Sequence, residues 1–342
     1  MKKIILIVLI PLFGAIVLMG GGRKDEKKPC AVELPPYTIY HSFEEYFHNV
    51  ERQTSVLNIR EGCSERLVRN TDGRARVSIL YIHGFGASRA EGEAVLDQVA
   101  DSLDANIYYL RLPGHGTTIE DHRDSTFREH LAAVRDAVLM MDLLGERIFI
   151  AGTSYGGLLA TCVSALYPHR ISGTILVSPL YGFANPVHGF IMSNERLLSM
   201  IESMNPVRKI LNENAPDDMW RRYWYDTQYV SALKQLAVAR ERIVQPCIID
   251  NVDVPVCLIY YYRNRKEQDQ AASVAMMRKV FSRFSNPYNT EMRVEHGAHV
   301  LTSEFIPSDK KTVRDGMISF IEKVVMECPA PRPKDRGYSI GM

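Results

Sequence analysis

Ser154 stands in Gly152-Thr153-Ser154-Tyr155-Gly156, directly after the apolar, β-branched run Arg147-Ile148-Phe149-Ile150-Ala151 and directly before a helical pattern. Strand, sharp turn and helix form the context in which a serine is lifted out of the backbone on a strained elbow. A residue held in a tight positive-φ turn tolerates no bulk two positions away, so Gly152 and Gly156 give the backbone room. A helix beginning at Tyr155 would aim free N–H groups and the positive end of its dipole at the serine oxygen. At neutral pH a serine hydroxyl is a poor nucleophile. It needs a base within hydrogen-bond reach, and that base needs a third group to orient it. Downstream, the polar loop Arg263–Gln270 offers the carboxylates Glu267 and Asp269, and Glu295-His296-Gly297-Ala298-His299 offers two imidazoles.

The elements around these residues alternate. Val77–Ile82, Ala105–Leu110, the run before Ser154, Ile171–Val177, Val254–Tyr262 and Glu291–Glu295 read as strands. Between them, helical spacing is expected over Ala94–Leu103, from a cap at Ser125 or Thr126 to near Gly145, from Tyr155 through Tyr167, over Ala272–Phe284 and over Lys311–Met326. Strands alternating with helices mean βαβ units and a mostly parallel sheet, with active sites outside the carboxyl ends of the strands. His83, Ser154 and the loop after Val177 all fall at that edge. From Tyr181 to Asn251 the alternation stops. This stretch has no clear strands and is rich in methionine and aromatic side chains, among them Met200, Met204, Trp220 and Trp224. It reads as helices packed on the core, or as a mobile cap with an adaptable surface.

Four motifs, Val77–Ser88, Arg111–Gly116, Gly152–Gly156 and Gly297–His299, resemble the α/β-hydrolase superfamily in their type and order. Within it, the chain resembles the capped esterase and monoacylglycerol-lipase-like branch. The resemblance covers roughly residues 77–326. It implies an α/β-hydrolase fold, with a mostly parallel central sheet flanked by helices and a helical cap insertion. By position it implies Ser154 as nucleophile, His299 as general base with His296 as its rival, and backbone N–H groups of Phe85 and Tyr155 as the oxyanion hole. His83 and His115 are expected to shape their loops. Asp269 is the expected acid and Glu267 its alternative. Members of the superfamily usually carry a glycine at the end of the strand before the acid, and Tyr260-Tyr261-Tyr262 has none. The implied reaction is ester hydrolysis through an acyl-enzyme, and the apolar cap favours apolar acyl esters. Amide or thioester cleavage uses the same machinery.

The 342 residues nearly balance acids and bases, leaving a formal charge of +1, so no nucleic-acid or other polyanionic partner is indicated. Met1-Lys2-Lys3, an apolar run from Ile4 to Met19 and Gly20-Gly21-Gly22 have the layout of a secretory signal or an uncleaved anchor, giving membrane association through residues 4–22. The body is therefore expected to be exported or membrane-anchored. The expected division is 1–22 signal or anchor, 23–76 linker and lead-in, 77–180 and 252–328 core, 181–251 cap and 329–342 disordered tail. Six cysteines are present without CxxC pairs or zinc-type spacing, so neither metal nor cofactor is expected. Cys162 and Cys257 read as buried thiols. Two other classes are weighed. A dinucleotide-binding loop at Gly84-Phe85-Gly86-Ala87-Ser88-Arg89 lacks its third glycine, Arg89 standing there. A non-catalytic binding protein of the same fold is the second, since folds do not fix function.

Overall fold

The computed structural model describes residues 34–209 and 221–331. The signal or anchor segment 1–22 and residues 332–342 of the tail lie outside the described residues. In chain order the elements are α1 (Phe43–Thr54), β1 (Arg66–Val68), β2 (Ala75–Ile82), α2 (Glu93–Ser102), β3 (Asn106–Leu110), α3 (Ile119–Asp124) and α4 (Phe127–Met140). Then come β4 (Gly145–Thr153), α5 (Tyr155–Leu166), β5 (Ile171–Val177), α6 (Pro186–Met192), α7 (Glu195–Met204), β6 (Val207–Lys209) and β7 (Thr227–Tyr229). The described residues end with α8 (Val230–Ile243), α9 (Pro246–Ile249), β8 (Val256–Tyr261), α10 (Val274–Phe281), β9 (Thr290–Val294) and α11 (Lys310–Glu327).

Seven strands form one sheet in the order β1-β3-β2-β4-β5-β8-β9. All neighbours run parallel except β1, which pairs antiparallel with β3 at the edge. Alternation along a strand sends side chains to both faces. In β2, Leu80 and Ile82 enter a core with α4 and α5, whereas Val77, Ile79 and Tyr81 enter a second core with α2 and α11. A sheet buried on both faces explains why its strands read as continuous apolar runs. Burial alone decides little about helix starts; caps do. Thr126 accepts a hydrogen bond from the Glu129 N–H, and the Glu129 side chain accepts one from the Thr126 N–H, so Thr126 and not Ser125 starts α4. A cap of this kind contributes about 1 kcal/mol.

Four elements were not expected from the sequence. β1 is only three residues long and is set by pairing with β3, not by its own pattern. α3 is a six-residue helix with its own capping box at Thr118. In the stretch expected to lack strands, β6 and β7 pair antiparallel, with Val207 opposite Tyr229. Both are too short to show a period of two. The expected thiols are free and buried at Cys162 and Cys257, and Cys63 and Cys328 are also free. Cys247 is disulfide-bonded.

The glycines at the elbow are fixed by contact. A Cβ on Gly156 would strike the carbonyls of Ile82 and His83, which are backbone and cannot swing away. Gly189 in α6 has its nearest neighbour, the Phe183 Cβ, at 3.9 Å. Gly156→Ala should therefore lower stability by about 1–3 kcal/mol, and Gly189→Ala should raise it by roughly 0.5–1 kcal/mol. Urea unfolding midpoints of the two variants check both signs; equal midpoints would contradict the packing account.

Candidate active site

β4 delivers Thr153 to the carboxyl edge of the sheet, and the chain turns at Ser154 before α5 begins. Ser154 has φ +54° and ψ −112°, a conformation that L residues rarely adopt. It is over-determined by the backbone around it. Its N–H donates to the Val177 carbonyl at 2.9 Å, and its carbonyl accepts from the N–H groups of Leu158 and Leu180, each at 3.1 Å. The result is a side chain only 8% exposed whose Oγ faces the loops following β8 and β9.

The Ser154 hydroxyl donates to His299 Nε2 at 2.8 Å, and His299 Nδ1–H donates to Asp269 Oδ2 at 2.7 Å. Asp269 is 1% exposed, and its other oxygen accepts from the N–H groups of Ala271 and Ala272 at 2.8 and 2.9 Å. Every part of that buried carboxylate is therefore engaged, as burial of a charge requires. The long loop before it explains how it arrives without a strand-ending glycine. Tyr262 bridges back to Gln268, and the Arg263 and Asn264 N–H groups donate to the Glu267 carbonyl. This closes a small turn and returns Asp269 to the end of β8, where its N–H donates to the Tyr261 carbonyl at 3.2 Å.

The rival residues sit elsewhere. Glu267 pairs with Arg263 at 3.1 Å on the surface, and it shares a shallow cleft with His296 and Asp309. The upstream loop lies beside the elbow. His83 is fully buried; its Nδ1–H donates to the Gly84 carbonyl at 2.8 Å and its Nε2 accepts from the Leu112 N–H at 3.1 Å. It thus clamps the loop after β2 to the loop after β3. Phe85 packs on Tyr155, with ring centroids 5.3 Å apart, and on His122 at 4.5 Å. Tyr155 is the first residue of α5, so its N–H has no intrahelical acceptor. Among the described residues, no backbone acceptor is recorded for the Phe85 N–H either.

Electrostatics divide the histidines into two groups. Burial works to lower the His299 pKa, but the charge and hydrogen bond of Asp269 outweigh it and, with a smaller contribution from Glu91, hold it above 6.5. For the ring to act as a base it must be neutral, so the same carboxylate makes it a stronger base. Burial takes His83 down to about 4 and His122 and His130 to about 3, and pushes His115 well below its usual value. Those four rings are neutral supports. Chemically, a hydroxyl bonded to a basic imidazole, itself held by a carboxylate, is equipped for acyl transfer. Among the described residues, no group of histidine, cysteine and acidic side chains is arranged to hold a metal ion.

A model of the alpha/beta hydrolase family matches residues 79–304, well over half of the chain. The chain belongs to the α/β-hydrolase family. Among its relatives, it is 26% identical over 178 residues to a thermostable monoacylglycerol lipase of Bacillus sp., covering 51% of this chain and 68% of that one. It is 32% identical over 115 residues to a pimeloyl-[acyl-carrier protein] methyl ester esterase of Vibrio campbellii, covering 32% of this chain and 41% of that one. The chain spans half or less of the length of several curated relatives it matches, from 29% to 47%. A monoacylglycerol lipase of Paleococcus ferrophilus superposes with TM-score 0.59 at 15% identity over 77% of this chain and 98% of that one. At that identity the likeness concerns the fold alone.

Sequence reasoning did not connect several residues of this α/β hydrolase with the loop after β2 and the turn that follows it, although Trp224 was noted among the aromatic residues of the cap stretch. Glu91, Trp224, Tyr225 and Gln228 come from two distant stretches. Ring titration by NMR tests the electrostatics: His299 should titrate above pH 6.5 and fall below it in Asp269→Asn, where burial is opposed only by the smaller Glu91 contribution. His83, His122 and His130 should stay neutral to below pH 5. A His299 midpoint unmoved by Asp269→Asn would contradict the pairing.

Proposed function

We propose that this chain is a serine hydrolase that cleaves carboxylic esters of apolar acyl groups through an acyl-enzyme on Ser154. The observation that carries the reading is the unbroken chain from Ser154 Oγ through the His299 ring to Asp269, at 2.8 and 2.7 Å. Ser154 Oγ attacks the ester carbonyl carbon while His299 Nε2 takes its proton. The tetrahedral oxyanion lies against the N–H groups of Phe85 and Tyr155, a preorganised donor pair of the kind that contributes about 3–4 kcal/mol each. As the C–O bond to the alcohol breaks, His299 returns the proton to the leaving oxygen. Water, deprotonated by His299, then attacks the acyl carbon, and the acid departs as Ser154 regains its proton. Asp269 stays ionised and holds the imidazole in the productive tautomer.

The acyl preference rests on residues 181–251, read as the helical cap. Its α6 and α7 expose Val187, Phe190, Met200 and Met204, an adaptable apolar surface suited to alkyl chains. The lipase and esterase names of the relatives agree with that class. We further propose that the body is exported or anchored by residues 4–22, on the strength of their basic–apolar–glycine layout and the bonded state of Cys247. Among the described residues, no helix is long and apolar enough to cross a membrane.

Turnover of p-nitrophenyl esters from acetate to laurate, beside matched anilides and thioesters, tests the reading. Expected are ester turnover favouring medium or long chains, a loss on the order of 10⁴-fold in kcat for Asp269→Asn, and a change within twofold for Glu267→Gln. Faster anilide than ester cleavage, or full activity in Asp269→Asn, would overturn it.

A further inference from the structure

The turn Arg89–Glu91 follows the loop after β2, and the Glu91 side chain is 2% exposed. A carboxyl buried so deeply is costly unless it is bonded. Glu91 Oε2 accepts from the Gly84 N–H at 2.5 Å and from the Tyr81 hydroxyl at 3.4 Å, and the Trp224 indole N–H also hydrogen-bonds the carboxyl. The Tyr81 hydroxyl sits 3.0 Å from Thr153 Oγ1, the residue before the nucleophilic serine. The backbone of the same turn receives the loop that follows His299: the Thr302 hydroxyl donates to the Glu91 carbonyl at 2.6 Å and the Ser303 hydroxyl to the Ala90 carbonyl at 3.1 Å. On its far side, the Tyr225 N–H donates to the Gly86 carbonyl at 2.8 Å. One short turn thus touches the oxyanion loop, the base loop and Trp224 before β7, and reaches the elbow strand through Tyr81.

We propose that Glu91 is a positioning residue: its carboxyl fixes the oxyanion loop through Gly84 and ties that loop to Trp224 and, through Tyr81, to the elbow strand, while the backbone of the same turn receives the His299 loop. The proposal rests on the hydrolase reading above. Gly84 leaves room for this contact, since a Cβ there would meet Glu91 Oε1 at 2.8 Å. The consequence for Phe85 is geometric. Its N–H sits one residue beyond Gly84, so a carboxyl that pins the Gly84 N–H sets where the next N–H points.

The carboxyl also has an electrostatic reach. Burial raises its pKa to about 7, against the opposing pull of the Gly84 hydrogen bond and the His299 charge. The ionisable groups facing it are Tyr81 and His299; the neighbours on its own turn, Arg89 and Glu93, pair with each other. Facing His299 are Asp269 and Glu91, and both raise its pKa. Replacing Glu91 by a neutral isostere removes the share of charge that the carboxyl carries near and above pH 7, so the His299 midpoint and the acid limb of kcat/KM should move modestly to lower pH.

The full chain tests this with Glu91→Gln, Glu91→Ala and Trp224→Phe, assayed from pH 5 to 9 on a p-nitrophenyl ester, with Ser154→Ala as the control for the underlying reading. Expected is a kcat loss of about 10²-fold in Glu91→Ala, the scale of one misplaced oxyanion donor, with KM within threefold. Glu91→Gln, which can still accept from Gly84, should recover at least tenfold of that loss and shift the acid limb downward. Trp224→Phe should lower kcat by a smaller factor. If Glu91→Ala does not fold, Trp224→Phe decides alone, and a wild-type kcat there would overturn the proposal. A folded Glu91→Ala with wild-type kcat, or a Glu91→Gln that recovers none of the Glu91→Ala loss, would overturn the proposal. Undiminished hydrolysis by Ser154→Ala would instead defeat the hydrolase reading itself.

Discussion

Ser154 is held at φ +54° by three backbone hydrogen bonds, and the rest of the site is arranged around that one strained residue. Such a conformation costs on the order of 1–3 kcal/mol and persists only when its surroundings leave no alternative. Here the surroundings are β5, which accepts the Ser154 N–H through Val177, and α5, whose second residue packs Gly156 against the carbonyl of Ile82 in β2. Three adjacent strands therefore define one turn. Relaxing it would mean parting the centre of the sheet. The strain is thus set by the largest and most buried part of the molecule, while the groups that meet Ser154 come from loops at its edge.

Those loops are joined mostly through hydrogen bonds from buried polar side chains. His83 ties the loop after β2 to the loop after β3, the Glu91 carboxyl ties it to Trp224, and Asp269 ties the loop after β8 to His299. In each case a side chain that would be costly to bury alone is satisfied by a neighbouring loop. Electrostatics follow the same division. Rings that only brace the loops are kept neutral by burial, whereas His299 is kept basic by the carboxylate facing it.

What was legible in the sequence was mostly local. The bounds of α5 and β5 could be read from a glycine-framed serine and a short β-branched run because each carries its own signal. β1 could not: three residues paired with β3 owe their form to that strand. The acid loop was half legible. A carboxylate after an apolar strand is visible, but the choice between Glu267 and Asp269 turns on the Tyr262–Gln268 bridge, which folds one of them back and leaves the other with Arg263. Glu91 was invisible for a stronger reason. Its neighbours Gly84, Trp224 and His299 lie far apart in the chain, and nothing in Arg89-Ala90-Glu91 distinguishes a surface acid from one that is 2% exposed.

The central claim is that one hydroxyl, activated by one imidazole, carries the chemistry. Intact-mass and peptide analysis after treatment with a fluorophosphonate measures it directly. A single adduct on the peptide containing Ser154, formed at a rate that rises with pH along the titration of His299, is the predicted result. No adduct, or one on another residue, would contradict the account.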